Sequence, residues 1–486
     1  MSDARFPSLR SVARRAVEAS PSLRTWAEGL GVDALRRGPL APSPLRPRGL
    51  PWHVPMGTFE RLDHLMKISL AHGDVVRLEF PKLTAHLLSH PDHVQRVLID
   101  DHRRFSKQTR GYETLRLFLG NGLVTSEGEF WLRQRRIAQP AFHRKRIAGF
   151  ADGIVRAAAD LGRAWAPRAA SGETVDVASE MMQLTLRIAG ETMLSADPSG
   201  QAGAVGAALE ILQKEVNRRL DSPWVPPVEW PTPHNRRLRA ATEQLDRIVL
   251  DLIDRRRRGR EQGDDLLQML LEARDEETGA GMDDRQLRDE VMTVFLAGHE
   301  TTSNALTWTF YLLSRAPQIA RALHEEAVRV LGDRPATVDD LPALDLTRRV
   351  LQESMRLYPP VWILGRSPTE DLDVDGYRIP RGSLVFLSQW VTHRHPKWWE
   401  NPEGFDPDRW LPDRMRGLHR HQYFPFAAGP RMCIGAGLAQ MEGQLVLATL
   451  ARHYRVQPVP GQRVEPEPLI TLRPRGGLPS TLHRID

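Results

Sequence analysis

Between residues 147 and 274 apolar side chains recur every three or four positions, the spacing that lays one face of a helix against a core. One stretch interrupts the pattern: Trp224-Val225-Pro226-Pro227 and Trp230-Pro231-Thr232-Pro233 hold too many prolines for a helix to continue. A long helix is predicted over 284–316, closed by Pro317; at about 1.5 Å per residue it would run about 50 Å. Shorter helices are predicted over 347–357, ending before Pro359-Pro360, and over 434–453. Ser126-Glu127-Gly128-Glu129 has the form of a capping box, which predicts a helix carrying 130–138 and stopping before Pro140.

Strand-like patterning is confined to pieces near the two ends. Residues 74–80 and 85–89 read as a hairpin across a turn at 81–84. Turns at Asp375-Gly376 and Arg381-Gly382 precede a strand-like run over 383–388, and further pieces follow the last helix as far as Leu482. The irregular stretch 401–426 is longer than ordinary connections, which marks it for function. Helices in the middle and strands towards both ends predict an α+β fold that is mainly α.

A chain of 486 residues has room for about three domains of about 150 residues each. No low-complexity or Gly/Ser-rich linker divides it, however, so one domain is expected over 51–486, preceded by a basic, Pro/Arg-rich segment over 1–50. The net charge of +6 comes almost wholly from arginine, with lysine only at 67, 82, 107, 145, 214 and 397. The one four-residue basic run, Arg255 to Arg258, closes a helical pattern, where cations suit the helix dipole. An acidic protein partner or plain solubility therefore accounts for the charge better than nucleic acid does. The single cysteine excludes an intramolecular disulfide. The part-apolar segment 291–313 contains His299, Glu300 and Asn304, a poor composition for a bilayer. A cytoplasmic protein without a transmembrane anchor is expected.

Candidate chemistry concentrates in Phe426-Ala427-Ala428-Gly429-Pro430-Arg431-Met432-Cys433-Ile434-Gly435. A cysteine just ahead of a helix faces the positive end of the macrodipole, which is expected to lower its pKa and favour thiolate. Gly429 and Gly435 let the backbone turn tightly around a sulfur and a flat ligand. On residue type alone a buried structural cysteine would be the better reading, and a nucleophile would use the same dipole. Neither accounts for the glycines and the arginine at these spacings, and a zinc site lacks a second cysteine or a nearby histidine pair.

This F-x-x-G-x-R-x-C-x-G pattern resembles the haem-binding signature of the cytochromes P-450. The resemblance implies a single fold in which a large helical part and a smaller β-rich part enclose haem b. It makes Cys433 the iron ligand, with Phe426 and Gly435 beside it, and Arg431 the partner of a haem propionate. A thiolate ligand pushes electron density onto the iron and promotes O–O cleavage.

Further motifs extend the likeness to nearly the whole chain. Within the long helix, Ala297-Gly298-His299-Glu300-Thr301-Thr302 resembles the family's A-G-x-[DE]-T-[TS] motif. Helical spacing puts Val294, Ala297, Gly298, Thr301 and Ala305 on one face, small enough for a flat ring to approach, with Phe295, His299, Leu306 and Phe310 on another. A buried threonine taken alone would bond back to its own helix. The resemblance makes Thr301 a hydrogen-bonding partner in oxygen activation and Glu300 a proton relay. Glu353 and Arg356 resemble the family's E-x-x-R, completed by Arg409, a structural triad. Trp131 and Arg135 resemble the W-x-x-x-R pair that reaches a propionate, and Arg366 sits where many members carry another propionate arginine.

The implied function is a haem-dependent monooxygenase placing one atom of O2 into an apolar small molecule, a lipid, terpenoid, steroid or polyketide-like compound. No flavin- or iron–sulfur-like segment follows, so electrons would come from a separate ferredoxin or flavodoxin and its reductase, serving a monomer. The basic residues Arg133, Arg136, Arg144, Lys145, Arg146, Arg414, Arg416 and Arg420 are the expected docking face. The segment 224–233 is the expected substrate entry, with ordinary core tryptophans as the competing reading. A non-catalytic haem-thiolate sensor or carrier is the alternative from another class; it would have no use for Thr301 and Glu300.

Overall fold

The computed structural model describes residues 60–80, 83–194, 198–222, 224–259 and 265–485, so the basic segment 1–50 lies outside the described residues. Helices α1 (Glu60–His72), α2 (Arg110–Leu119), α3 (Gly128–Ala138), α4 (Ala151–Ser171), α5 (Val177–Leu194), α6 (Pro198–Asp221), α7 (Pro233–Arg257) and α8 (Leu266–Glu272) lead to the long α9 (Asp284–Arg315). After it come α10 (Pro317–Leu331), α11 (Asp345–Leu357) and α12 (Ala436–Ala451), with a few single turns between. The fold is α+β and mainly α. No described helix is long and apolar enough to cross a membrane.

The first hairpin forms, β1 (Val75–Phe80) running antiparallel to β2 (Leu83–Leu88), with Leu83 and Thr84 paired in the strand rather than in the expected turn. With β3 (Phe105–Ser106), β5 (Leu364–Pro368) and β8 (Leu384–Leu387) these make a five-stranded sheet ordered β1-β2-β8-β5-β3, in which β2 and β8 are parallel. A second sheet joins β4 (Thr174–Asp176) to β12 (Pro479–Arg484) and β9 (Tyr454–Pro458). Two hairpins, β6 (Leu372–Val374) with β7 (Tyr377–Ile379) and β10 (Pro466–Pro468) with β11 (Leu472–Pro474), complete the β part. Strand β4 falls inside the stretch where helical periodicity dominates; Gly172, at φ +67°, ends α4 and turns the chain into it.

Helix α9 is the axis of the fold, packed against α5, α7, α11 and α12. It starts at a reciprocal cap, Gln286 N donating to Asp283 Oδ1 at 2.8 Å and Asp283 N to Gln286 Oε1 at 3.4 Å. The capping box expected at Ser126 is not made. Helix α3 begins at Gly128 with Glu127 in the cap position and no side-chain cap bond, and the Ser126 hydroxyl is buried without a partner. The helix starts one residue late for the motif: with Glu127 as cap, Ser126 lies outside it and Glu129 falls at the second helical position rather than the third.

The E-x-x-R likeness corresponds to a fully buried ionic cluster. Arg356 donates through Nη2 and Nε to Glu353 Oε1 and Oε2 at 2.8 and 2.9 Å, and Arg409 Nε reaches Oε1 at 3.2 Å. Trp410 Nε1 and the Asp406 N–H add two more donors to the same carboxylate. Arg356 spends its remaining hydrogens on the carbonyls of His393, Pro402 and Gly404, fastening α11 to the loop that leads to Cys433.

Candidate active site

The cysteine loop is shaped by two residues in left-handed backbone conformations, Ala427 at φ +58° and Gly429 at φ +69°. A Cβ on Gly429 would come within 2.0 Å of the Leu98 carbonyl oxygen, so only glycine fits there. The Cys433 N–H donates to the Phe426 carbonyl at 2.9 Å, closing the loop. The sulfur is walled in by protein on most sides yet its side chain stays accessible. One expectation fails here. Burial pushes the Cys433 thiol up, outweighing the Gly435 N–H and the Arg135 charge that pull it down. The helix dipole is too far away to win, because α12 begins at Ala436 with Gly435 as its cap.

Four cations gather near this loop. Arg431 lies 3.6 Å over the Trp131 ring and donates to the Ser126 carbonyl at 2.8 Å as well as to Glu127. Arg135 Nη1 donates to the Met432 carbonyl at 3.0 Å. Arg366, buried in β5, reaches the Gly365 carbonyl at 2.8 Å and the Tyr112 hydroxyl at 3.3 Å. Lys107, which the sequence reading passed over, is also buried and donates to the Val124 carbonyl at 3.0 Å. Its signal was available: it is one of six lysines in an arginine-rich chain.

The segment just before α3 organises these groups. Its successive carbonyls at Val124, Thr125 and Ser126 accept from Lys107, Arg116 and Arg431. From the other side, α9 holds the same segment: Asp289 accepts from the Asn121 N–H at 2.7 Å and Glu290 from the Leu123 N–H at 3.0 Å. Burial, then Leu123 and Asp289 in opposing directions, leaves the Glu290 carboxyl pushed up to about 8.

Charge decides whether haem fits these residues. Burial and the positive charges of Arg366 and Arg431 hold Lys107 well below the usual lysine range, and Arg431 is pushed down to about 10. Among the described residues, Glu127 is the carboxylate that acts on both. Four neighbouring cations facing one anion are costly to bury, and two further carboxylates, such as the propionates of haem, would balance them. The donor set fits.

Helix α9 supplies the other wall. From 289 to 310 only Val294, Leu296, Ala297, Gly298 and Thr301 escape full burial. Four of these are on the predicted small-residue face, which closes again at Ala305. Phe295, His299, Leu306 and Phe310 are core, as their positions suggest. The Thr301 hydroxyl donates back to the Ala297 carbonyl at 2.7 Å. Glu300 does not turn towards Thr301: it is buried, and its Oε1 accepts from Thr471 Oγ1 at 2.6 Å. Burial pushes the Glu300 carboxyl up, against the Thr471 hydroxyl and the Arg473 charge.

The tryptophans of the proline-rich break are not core. Trp224 is 66% exposed and Trp230 40%, their ring centroids 6.3 Å apart. Asn235 pins the segment through the carbonyls of Pro227 and Trp230, Arg219 holds Asn235, and Arg110 of α2 donates to the Arg219 carbonyl. Of the expected docking residues, Arg136 is paired with Asp275 and Glu277, Arg414 with Asp406 and Arg416 with Asp413. Arg144, Lys145, Arg146 and Arg420 are exposed.

Fold and cysteine loop together define a haem-thiolate oxidoreductase. The sequence model of the family Cytochrome P450 matches residues 42–478. Cyclooctatin synthase of Streptomyces melanosporofaciens is 38% identical over 83% of this chain and 87% of its own length. Pentalenene oxygenase of Streptomyces avermitilis is 38% identical over 84% and 90%. The crystal structure of the cytochrome P450DA heme domain matches with a TM-score of 0.84 at 27% identity, covering 93% of this chain and 99% of that one. The chain belongs to the cytochrome P450 family, whose cofactor is haem b.

Proposed function

We propose that this protein is a monooxygenase that oxidises an apolar, terpenoid-like molecule with electrons from a separate ferredoxin or flavodoxin and its reductase. The observation that carries the reading is the open stripe of Val294, Ala297, Gly298 and Thr301 on a stretch of α9, residues 289–310, that is buried elsewhere except at Leu296. Apart from Thr301 it is apolar, so a charged substrate would shed its hydration there without a partner. Relatives named pentalenene oxygenase and cyclooctat-9-en-7-ol 5-monooxygenase act, by those names, on an unsaturated hydrocarbon and an unsaturated alcohol.

Bound haem supplies oxygen reduction and O–O cleavage, assisted by the electron-rich thiolate of Cys433. Arg431, Arg135, Arg366 and Lys107 bind and orient its carboxylates, and Trp131 backs Arg431. Phe426 and Gly435 shape the space around the sulfur, and Ala297 leaves room above the ring. Thr301 and Glu300 deliver protons. Trp224 and Trp230 mark the substrate entry, and Arg133, Arg144, Lys145, Arg146 and Arg420 form the docking face for an acidic electron carrier. In this reading the domain spans 51–486, with 1–50 as an appended segment, and the protein works as a cytoplasmic monomer.

The test uses Thr301→Ala with terpenoid hydrocarbons that shift the haem spin state. Haem content should stay at the wild-type level while product formed per electron consumed falls by about 10²-fold, the scale of lost proton delivery. Unchanged product per electron would remove Thr301 from the chemistry. A highly charged compound giving the tightest spin-state shift would defeat the apolar-substrate assignment.

A further inference from the structure

Glu300, Thr471 and Asn304 form a buried polar chain between α9 and the tip of the β10–β11 hairpin. The tip is fixed around them. Trp308 Nε1 donates to the Leu472 carbonyl at 3.0 Å, Trp362 Nε1 to the Leu469 carbonyl at 2.8 Å, and the Leu472 N–H to the Pro360 carbonyl at 2.8 Å. On the side of α6, the Ile470 N–H donates to Asn217 Oδ1 at 3.1 Å. Thr471 is thus held against Glu300 by its neighbours.

Asn304 Nδ2 donates to Thr471 Oγ1 at 3.0 Å, and that hydroxyl donates to Glu300 Oε1 at 2.6 Å. A hydroxyl carries one proton. Since Asn304 donates into its oxygen, the proton goes to Glu300, which suits a carboxylate. Turning the Asn304 amide by half a turn exchanges Oδ1 for Nδ2 at nearly the same place. The hydroxyl proton then points to Asn304, and Thr471 Oγ1 accepts from Glu300 in its acid form. Both protonation states are therefore hydrogen-bonded with the heavy atoms almost unmoved. The bond to Thr471 is the one hydrogen bond of the Asn304 side chain among the described residues, so no second bond fixes the amide in either setting.

This matters because a buried acid is normally locked: fixed donors hold it ionised, and an apolar shell holds it neutral. Here burial favours the acid form while Thr471 and Arg473, the charged side chain that reaches the site, favour the carboxylate. Arg473 is itself engaged by Glu467 at 2.9 Å. We propose that Asn304 and Thr471 are positioning residues forming a two-setting switch, in which Glu300 holds a proton in one setting and gives it up in the other. The proposal rests on the reading of Glu300 as a proton-delivering acid and supplies the partners that let it reload.

Infrared spectra of the haem-loaded protein, with the carboxyl band assigned by its loss in Glu300→Gln, test the switch directly. Thr471→Val removes the donor to the carboxylate and should raise the pH midpoint of that band by about one unit, a tenfold change in proton affinity. Asn304→Ala instead strands the hydroxyl proton in the acid setting and should lower the midpoint. Thr471→Ser should match the wild type. Shifts in the same direction, or none, would overturn the switch. If Thr471→Val does not fold, Asn304→Ala decides alone, and a midpoint raised or unmoved overturns it. Wild-type product per electron in Glu300→Gln would sink the proton-delivery reading instead, while the opposite infrared shifts would still stand.

Discussion

Two clusters of charge, one around Glu353 and one around Arg431 of the cysteine loop, differ in one respect. Around Glu353 the chain supplies everything: one carboxylate, two guanidinium groups, and carbonyls for the remaining Arg356 hydrogens. Around Arg431 it does not: Glu127 reaches Lys107 and Arg431, while Arg366 and Arg135 add further positive charge beside Lys107. The first cluster is finished when the chain folds. The second is balanced only when something anionic arrives, and such an imbalance marks a binding site where pairing alone marks a brace.

The largest effect should come from breaking the finished cluster. Glu353→Ala strands two buried guanidinium groups and should cost about 3–5 kcal/mol in urea unfolding, with or without haem. A loss below about 1 kcal/mol would erase the distinction between the clusters. Arg431→Leu should act the other way round, leaving apoprotein stability nearly intact but weakening haem retention. One charge-assisted contact is worth about 1.5–3 kcal/mol, so transfer of haem to a scavenging apoprotein should be about 10- to 100-fold faster. Equal destabilisation of the apoprotein would mean that Arg431 is another brace.

A smaller, pH-dependent effect should come from Glu290, which holds the segment carrying the cation-binding carbonyls. Its native pKa is raised to about 8 from 4.5, so between those values the folded protein keeps a proton that the unfolded chain has released. Stability from this group therefore falls as pH rises, by up to about 1.4 kcal/mol per unit. Glu290→Gln should unfold with a flatter pH profile, its advantage over wild type growing from pH ~5 to ~8. Parallel profiles would show that Glu290 is ionised throughout. The smallest effect belongs to the exposed pair: Trp224→Ala and Trp230→Ala should change stability by no more than about 0.5 kcal/mol while weakening apolar ligands in spin-state titrations. Unchanged ligand affinity would move the entry route elsewhere.

What the sequence disclosed was local. Phe426 to Gly435 forms one loop, and the open face of α9 follows from helical spacing, so both were legible before any coordinates. Lys107 stood out only as a rare lysine; its place was not legible, because its partner is a backbone carbonyl positioned by the way α9 holds the 121–126 segment. Thr471 escaped for a similar reason, since it reaches Glu300 only through the hairpin packed against Trp308 and Trp362. Ser126 misled because the helix begins one residue further on, with Glu127 as its cap, while Arg431, distant in sequence, holds the Ser126 carbonyl and the Glu127 carboxylate. The lowered pKa expected of the Cys433 thiol erred in weighing a dipole without the burial that pushes it up.

The parallel pairing of β2 with β8, Ala85 opposite Leu384, carries a consequence for biosynthesis. A ribosome adding about 5–20 residues per second needs about 15–60 s to travel the roughly 300 residues between those partners. Throughout that interval one edge of the nascent hairpin has no strand to pair with, the state most open to association with other chains. Soluble yield should therefore respond to how quickly the second half of the message is translated, and to chaperones that shield an early sheet edge until its late partner emerges.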